Sequence, residues 1–221
     1  MIAIFVALIL RIIAINQHDF WFDEALTYHF SRLSIPDVAK IVLTDNNPPL
    51  YYLLMNFVIK VNTSEVFLRL PSLISSILTI VVLALFVKKH RNLKVALRAS
   101  MLVACSPLAI YLATEARLHS LAVFLLTLTI FSFFELVKKP NFKRKLLFVV
   151  AATLGLYTQY YLALLVVPFT AIAFLQKSLR IWATVVPYPI IFFLPWLLFS
   201  LKIDHNTCWC PSSFISLPAT I

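Results

Sequence analysis

Two adjacent carboxylates, Asp23 and Glu24, lie in the run Phe20-Trp21-Phe22-Asp23-Glu24-Ala25, among bulky aromatics and just past an apolar segment. That setting suits a general base that takes a hydroxyl proton, or a ligand for a divalent cation. A solvated acidic pair in a loop has the same residues, so the pair alone does not decide. The stretch Thr44-Asp45-Asn46-Asn47-Pro48-Pro49-Leu50-Tyr51-Tyr52 stiffens the backbone with two prolines and gathers Asp45 and Asn47 ahead of an apolar helix. It reads as a preformed polar cup, or more plainly as a helix start capped by Asn47 with proline in its first turn. Glu115 and Arg117, in Ala113-Thr114-Glu115-Ala116-Arg117-Leu118-His119, set opposite charges two residues apart between apolar segments. Charges so close to a membrane are costly unless paired or functional. Tyr160, in Tyr157-Thr158-Gln159-Tyr160-Tyr161, belongs to a motif that would equally serve as an aromatic belt. His119, alone, reads as a hydrogen-bonded interfacial histidine.

The elements that must position these residues follow from composition. The chain has 221 residues, 62% hydrophobic and 13% charged, where soluble domains run at about 45–50% apolar and about 25% charged. Its apolar stretches are long enough for a bilayer, which excludes a soluble, disordered or disulfide-stapled chain. A single glycine excludes both the dinucleotide fingerprint and the P-loop. Three cysteines, Cys105, Cys208 and Cys210, make neither a disulfide framework nor a four-ligand metal pattern. The net charge of +10 comes from basic residues that punctuate apolar segments, a topology signal and not a nucleic-acid face.

The pattern predicts an all-α polytopic bundle of about seven spans, at 2–16, 70–87, 95–111, 118–137, 146–161, 162–176 and 181–201. The run 48–61 is about half a bilayer long and carries Asn56, so it is expected to lie at the interface. Loop charges then alternate cleanly. Twelve basic residues, in the groups Lys88–Arg98, Lys138–Lys145 and Lys177/Arg180, share one side with the single acid Glu135, and eight of the nine acids fall on the other. The basic side is expected in the cytoplasm and the chemistry outside. Residues 17–69 form a long outer loop of short interfacial helices, and 70–221 form the bundle.

Trp21-Phe22-Asp23-Glu24-Ala25, Asp45-Asn46-Asn47-Pro48-Pro49-Leu50-Tyr51-Tyr52, Leu68-Arg69-Leu70-Pro71-Ser72, Ser106-Pro107 with Glu115-Ala116-Arg117, and Tyr157-Thr158-Gln159-Tyr160-Tyr161 follow one another in a fixed order. This series resembles the C-type glycosyltransferases, in the branch of the protein O-mannosyltransferases and the aminoarabinose transferases of lipid A. Trp209-Cys210-Pro211 resembles a further tryptophan-proline motif of the next outer loop.

The resemblance implies a polyprenyl-phosphate sugar as donor and a site at the outer membrane face. It implies Asp23 as catalytic base with Glu24 beside it, Asp45 and Asn47 on the acceptor side, and Glu115 with Arg117 as the second acidic motif. Arg117 and Arg69 would then meet donor phosphate, to which a guanidinium pairs bidentately. Family members often carry Tyr in place of His119 and His in place of Gln159. They also continue through more membrane helices, so this chain is expected to be the N-terminal part of a longer enzyme.

The expected function is inverting transfer of a sugar to a lipid, glycan or protein acceptor outside the plasma membrane of a prokaryote. The sequence points to no definite cofactor, no nucleotide is needed at the site, and the two carboxylates also suit a divalent metal; nucleic acid is not an expected partner. The rival readings are a transporter, a structural membrane subunit or an inactive fragment. A transporter would carry ionisable residues in mid-span and glycine-broken helices.

Overall fold

The computed structural model describes residues 2–17, 19–45 and 47–201, except the side chains of Thr44 and Asp45. Cys208, Cys210 and the Trp209-Cys210-Pro211 motif lie outside the described residues. Every regular element among the described residues is helical: α1 (Ile2–Ala14), α2 (Phe22–Ser31), α3 (Ile35–Ile41), a 3-10 turn (Val42–Asp45), α4 (Leu50–Val61), α5 (Glu65–His90), α6 (Leu93–Ala104), α7 (Pro107–Ala113), α8 (His119–Lys138), α9 (Phe142–Leu156), a second 3-10 turn (Tyr160–Leu165), α10 (Val166–Leu175), α11 (Leu179–Val185) and α12 (Pro187–Leu201).

Three stretches are long and apolar enough to cross a bilayer: α5 with 26 residues, α8 with 20 and the α11–α12 stretch with 23. α6 and α7 together make a fourth, bent by 62° between them. Proline explains the bend. Pro107 has no N–H to donate and pushes Ser106 out of the helical region, to φ −65° and ψ 121°. α1, α4 and the 160–175 stretch are apolar but shorter. Pro168 falls in the first turn of α10, where its missing N–H is harmless, so the chain enters that helix through a 3-10 turn. Outward-facing Leu102, Val167, Phe174 and Leu175 are 71–78% exposed, a surface that water would penalise and lipid does not.

Segment 48–61 folds as the amphipathic α4, packed against α2, α3 and α5. Asn56 explains its polarity within an apolar run: its Nδ2 donates to the carbonyls of Ser31 and Leu33, at 2.7 and 2.9 Å. Ser31 O is one of the oxygens that the end of α2 leaves without an intrahelical donor, and Leu33 O follows just past the helix. Phe30, Val38, Tyr51, Tyr52, Met55 and Leu68 bury the contact.

At the other end of the bundle, Glu135 of α8 meets Lys89 and His90 of α5 and Arg144 of α9. Two of the basic loops thus share one face. Asn92 and Asn141 start α6 and α9 there, each accepting from the backbone three residues on. Phe133, Phe148 and Phe169 stack between α8, α9 and α10, with Phe133 and Phe169 centroids 4.2 Å apart. The Leu162 side chain of the second 3-10 turn packs into the space that the missing Cβ of Gly155 leaves on α9.

α10 ends in a Schellman turn: Ser178 N–H bonds Ala173 O and Lys177 N–H bonds Phe174 O, with Lys177 at φ 53°. A lysine in the left-handed region is strained by about 1 kcal/mol. Lys177→Gly is therefore expected to raise the thermal midpoint in detergent, and an unchanged or lower midpoint would contradict the strain.

Candidate active site

The site is built around Glu24, the third residue of α2. Its Oε2 accepts the Trp21 N–H at 3.1 Å, the reach-back of a capping box. Rotation by one residue along the helix sends Glu24 inward, fully buried, and leaves Asp23 outside. Arg69, 1% exposed on α5, grips Glu24 with both arms of its fork: Nε to Oε1 at 3.0 Å and Nη2 to Oε2 at 2.9 Å. Arg69 also donates to the carbonyls of Ile15 and Asp19, at 2.7 and 3.3 Å, which closes the end of α1. Phe20 lies 5.8 Å from the guanidinium carbon, ring centroid to Cζ. Glu24 Oε1 takes a fourth donor, the Ala116 N–H at 2.6 Å. One carboxylate thereby joins α1, α2, α5 and the turn between α7 and α8.

That turn carries Glu115 and Arg117. Arg117 reaches over α2: its Nη2 stands 3.5 Å from Asp23 Oδ2, and its Nη1 donates to Asp23 O at 3.3 Å and Thr27 Oγ1 at 3.4 Å. The Thr27 hydroxyl donates back to Asp23 O at 2.9 Å. Asp23 is 62% exposed against 13% for Arg117, and Arg117 Nε is buried without a partner among the described residues. Their contact is weak as an ion pair, being loose and screened by water. It leaves an accessible carboxylate beside a guanidinium with donor capacity to spare. Glu115, 8% exposed, is hydrogen-bonded by the Tyr111 hydroxyl.

Beneath Arg117, Ser72 donates to Arg117 O at 3.0 Å, and Tyr51 OH lies 3.1 Å from Ser72 Oγ. Burial pushes the Tyr51 phenol well up, with Glu24 and Glu115 adding to the effect. Tyr51 thus stays a neutral hydrogen-bonding prop.

Asn47 and Tyr160 belong to a neighbouring group. Asn47 Nδ2 donates to Tyr52 OH at 3.4 Å, and Leu50 N–H reaches Tyr157 O at 2.9 Å, so the proline-stiffened stretch is tied to the Tyr157–Tyr161 turn. Tyr160 OH accepts from Trp196 Nε1 at 3.1 Å. The Asp45 side chain is not described. Among the described residues no three His, Cys, Asp or Glu side chains come together as a metal ligand set, and both Glu24 oxygens are already occupied.

Sequence reasoning missed Thr27, Ser72 and Tyr111. Thr27 stands four residues from Asp23 and Ser72 three from Arg69 on the same helical faces, and Tyr111 stands four residues before Glu115, in the last turn of α7. That spacing was the available signal.

The described residues thus form helices of which several are long and apolar enough to cross a bilayer, with an open carboxylate beside an arginine whose Nε has no partner, as befits an integral membrane protein. Residues 46–202 match the dolichyl-phosphate-mannose-protein mannosyltransferase family, and the chain belongs to that family of membrane glycosyltransferases. The matched region includes Arg69, Glu115 and Arg117 and begins after Asp23 and Glu24. No curated protein and no solved structure matches the chain.

Proposed function

We propose that this chain forms the active-site part of a glycosyltransferase that moves a sugar from a polyprenyl-phosphate carrier to an acceptor hydroxyl on the outer side of the membrane. The observation that carries this reading is the open Asp23 carboxylate 3.5 Å from Arg117. Asp23 takes the acceptor proton as the hydroxyl oxygen attacks the anomeric carbon. The carbon–oxygen bond to the phosphate breaks on the opposite face, which inverts the centre. Arg117 holds the phosphate and stabilises its growing charge. Glu24 and Arg69 act as positioning residues: their mutual pairing sets where Asp23 and Arg117 stand. Glu115 and Tyr111 flank the arginine, while Asp45, Asn47 and Tyr160 shape the acceptor side.

In this proposal α2, α3 and α4 lie at the outer face of seven spans, one of them bent at Pro107, in a prokaryotic plasma membrane. A reporter fused after Lys145 is expected in the cytoplasm and one after Lys60 outside; both on one side would overturn the map.

Arg117→Ala tests the site. Losing charge-assisted contacts to phosphate is expected to weaken donor binding by about tenfold or more, measured with a polyprenyl-phosphate sugar in membranes. Unchanged donor affinity with an intact fold would remove Arg117 from the phosphate site.

A further inference from the structure

Arg11 is a buried cation that the proposed reaction does not use. It sits on α1 with no exposed surface. Its Nε donates to Ser76 Oγ at 2.9 Å, its Nη1 to the carbonyls of Ala7 and Ala104 at 3.1 Å each, and its Nη2 has no partner among the described residues. None of the ion pairs among those residues includes it. A guanidinium stays protonated. At membrane depth such a charge is expensive without a counter-charge and marks a functional place. Two carbonyls and a hydroxyl solvate it, but they do not neutralise it.

Ser76 links Arg11 to a cavity of about 150 Å³ between α5, α6, α7 and α8, lined in part by Thr79, Ser106 and Ser120. Thr79 and Ser120 donate their own hydrogens to the carbonyls of Ser75 and Leu112. Ser76 and Ser106 instead accept, from Arg11 and from the Ala109 N–H, so their hydroxyl hydrogens remain to donate to a ligand. The rest of the wall is apolar, and Leu108 and Val123 in it are 66% and 41% exposed, so the cavity adjoins the lipid-facing flank. The ligand this combination fits is amphipathic: a small anion at the serines, within the field of Arg11, and a hydrocarbon chain along Leu108 and Val123.

We infer that Ser76 and Ser106, backed by Arg11 through its bond to Ser76, form an anion site for the phosphate of a membrane lipid, separate from the Asp23–Arg117 site. A phosphate group fits the volume, and its charge supplies what Arg11 lacks. The inference stands whether or not Asp23 is the base. Two sources have this chemistry, a polyprenyl phosphate monoester and the phosphodiester of a glycerophospholipid.

The test is lipid binding to the full chain in detergent micelles, followed by native mass spectrometry. Farnesyl phosphate, phosphatidylglycerol and inorganic phosphate are the probes, and Arg117→Ala is the background, in which binding at the proposed active site is weakened. One lipid per chain is expected, weakened about tenfold or more by Arg11→Gln and several-fold by Ser76→Ala. Arg11-dependent binding of farnesyl phosphate alone identifies the carrier as the source, and the same dependence for phosphatidylglycerol identifies a phospholipid. Lipid binding indifferent to both substitutions overturns the inference, as does inorganic phosphate binding as tightly as either lipid. If Arg11→Gln does not fold, Ser76→Ala decides, since it removes one hydroxyl and leaves the charge solvated. Failure of the transferase reading would show in turnover, which this measurement does not use.

Discussion

Asp23→Asn is expected to lower sugar transfer by about 10²-fold or more while donor binding persists. The amide keeps the volume of the carboxylate and still accepts a hydrogen bond from Arg117, 3.5 Å away in the native pair. It cannot take the acceptor's proton. Glu24, one residue on, is not a substitute, because its two oxygens accept from Arg69, Ala116 and Trp21 and it has no exposed surface. The expected pattern is a fall in kcat with donor affinity held, the opposite of Arg117→Ala. Transfer measured in membranes with a polyprenyl-phosphate sugar separates the two. Undiminished transfer by Asp23→Asn would send the search for the base to Asp45.

The contrast between Asp23 and Glu24 also marks where the sequence stops being informative. Helical content, the apolar surface and the short, amphipathic helix within 48–61 were legible, because hydropathy and its period report on solvent. So was the gathering of Lys89, Arg144 and Glu135 at one end. Adjacent carboxylates look alike in a sequence. They part only when α2 turns about 100° between them, and when Arg69, 45 residues on, arrives to take one of them. Arg69 itself reads from the resemblance as a phosphate ligand, yet in the fold its fork is closed on Glu24. The bend at Ser106-Pro107 was written in the proline, but an average over 95–111 does not see a kink. Arg11 was hidden for the same reason, as one charge within an apolar run whose neighbours, Ser76 and Ala104, come from distant segments.

Arg69→Met is expected to destabilise the protein by about 3–5 kcal/mol, since it leaves the buried Glu24 carboxylate without its cation. Glu24→Leu should cost a similar amount, because the guanidinium and the backbone N–H groups of Trp21 and Ala116 then lose their acceptor. The double variant separates an ion pair from two independent props. If the two residues act on each other, removing both should cost less than the sum of the single losses by about 1–3 kcal/mol. Arg69 bonds to Ile15 and Asp19 carbonyls would still be missing, so the double variant should not regain native stability. Urea or thermal unfolding in detergent gives the cycle, and strictly additive losses would deny the coupling. Activity should fall in each single variant although, in the proposed reaction, both act only as positioning residues. The bond from Ala116 N–H to Glu24 anchors the turn bearing Arg117, and without it the guanidinium no longer has a fixed place beside Asp23.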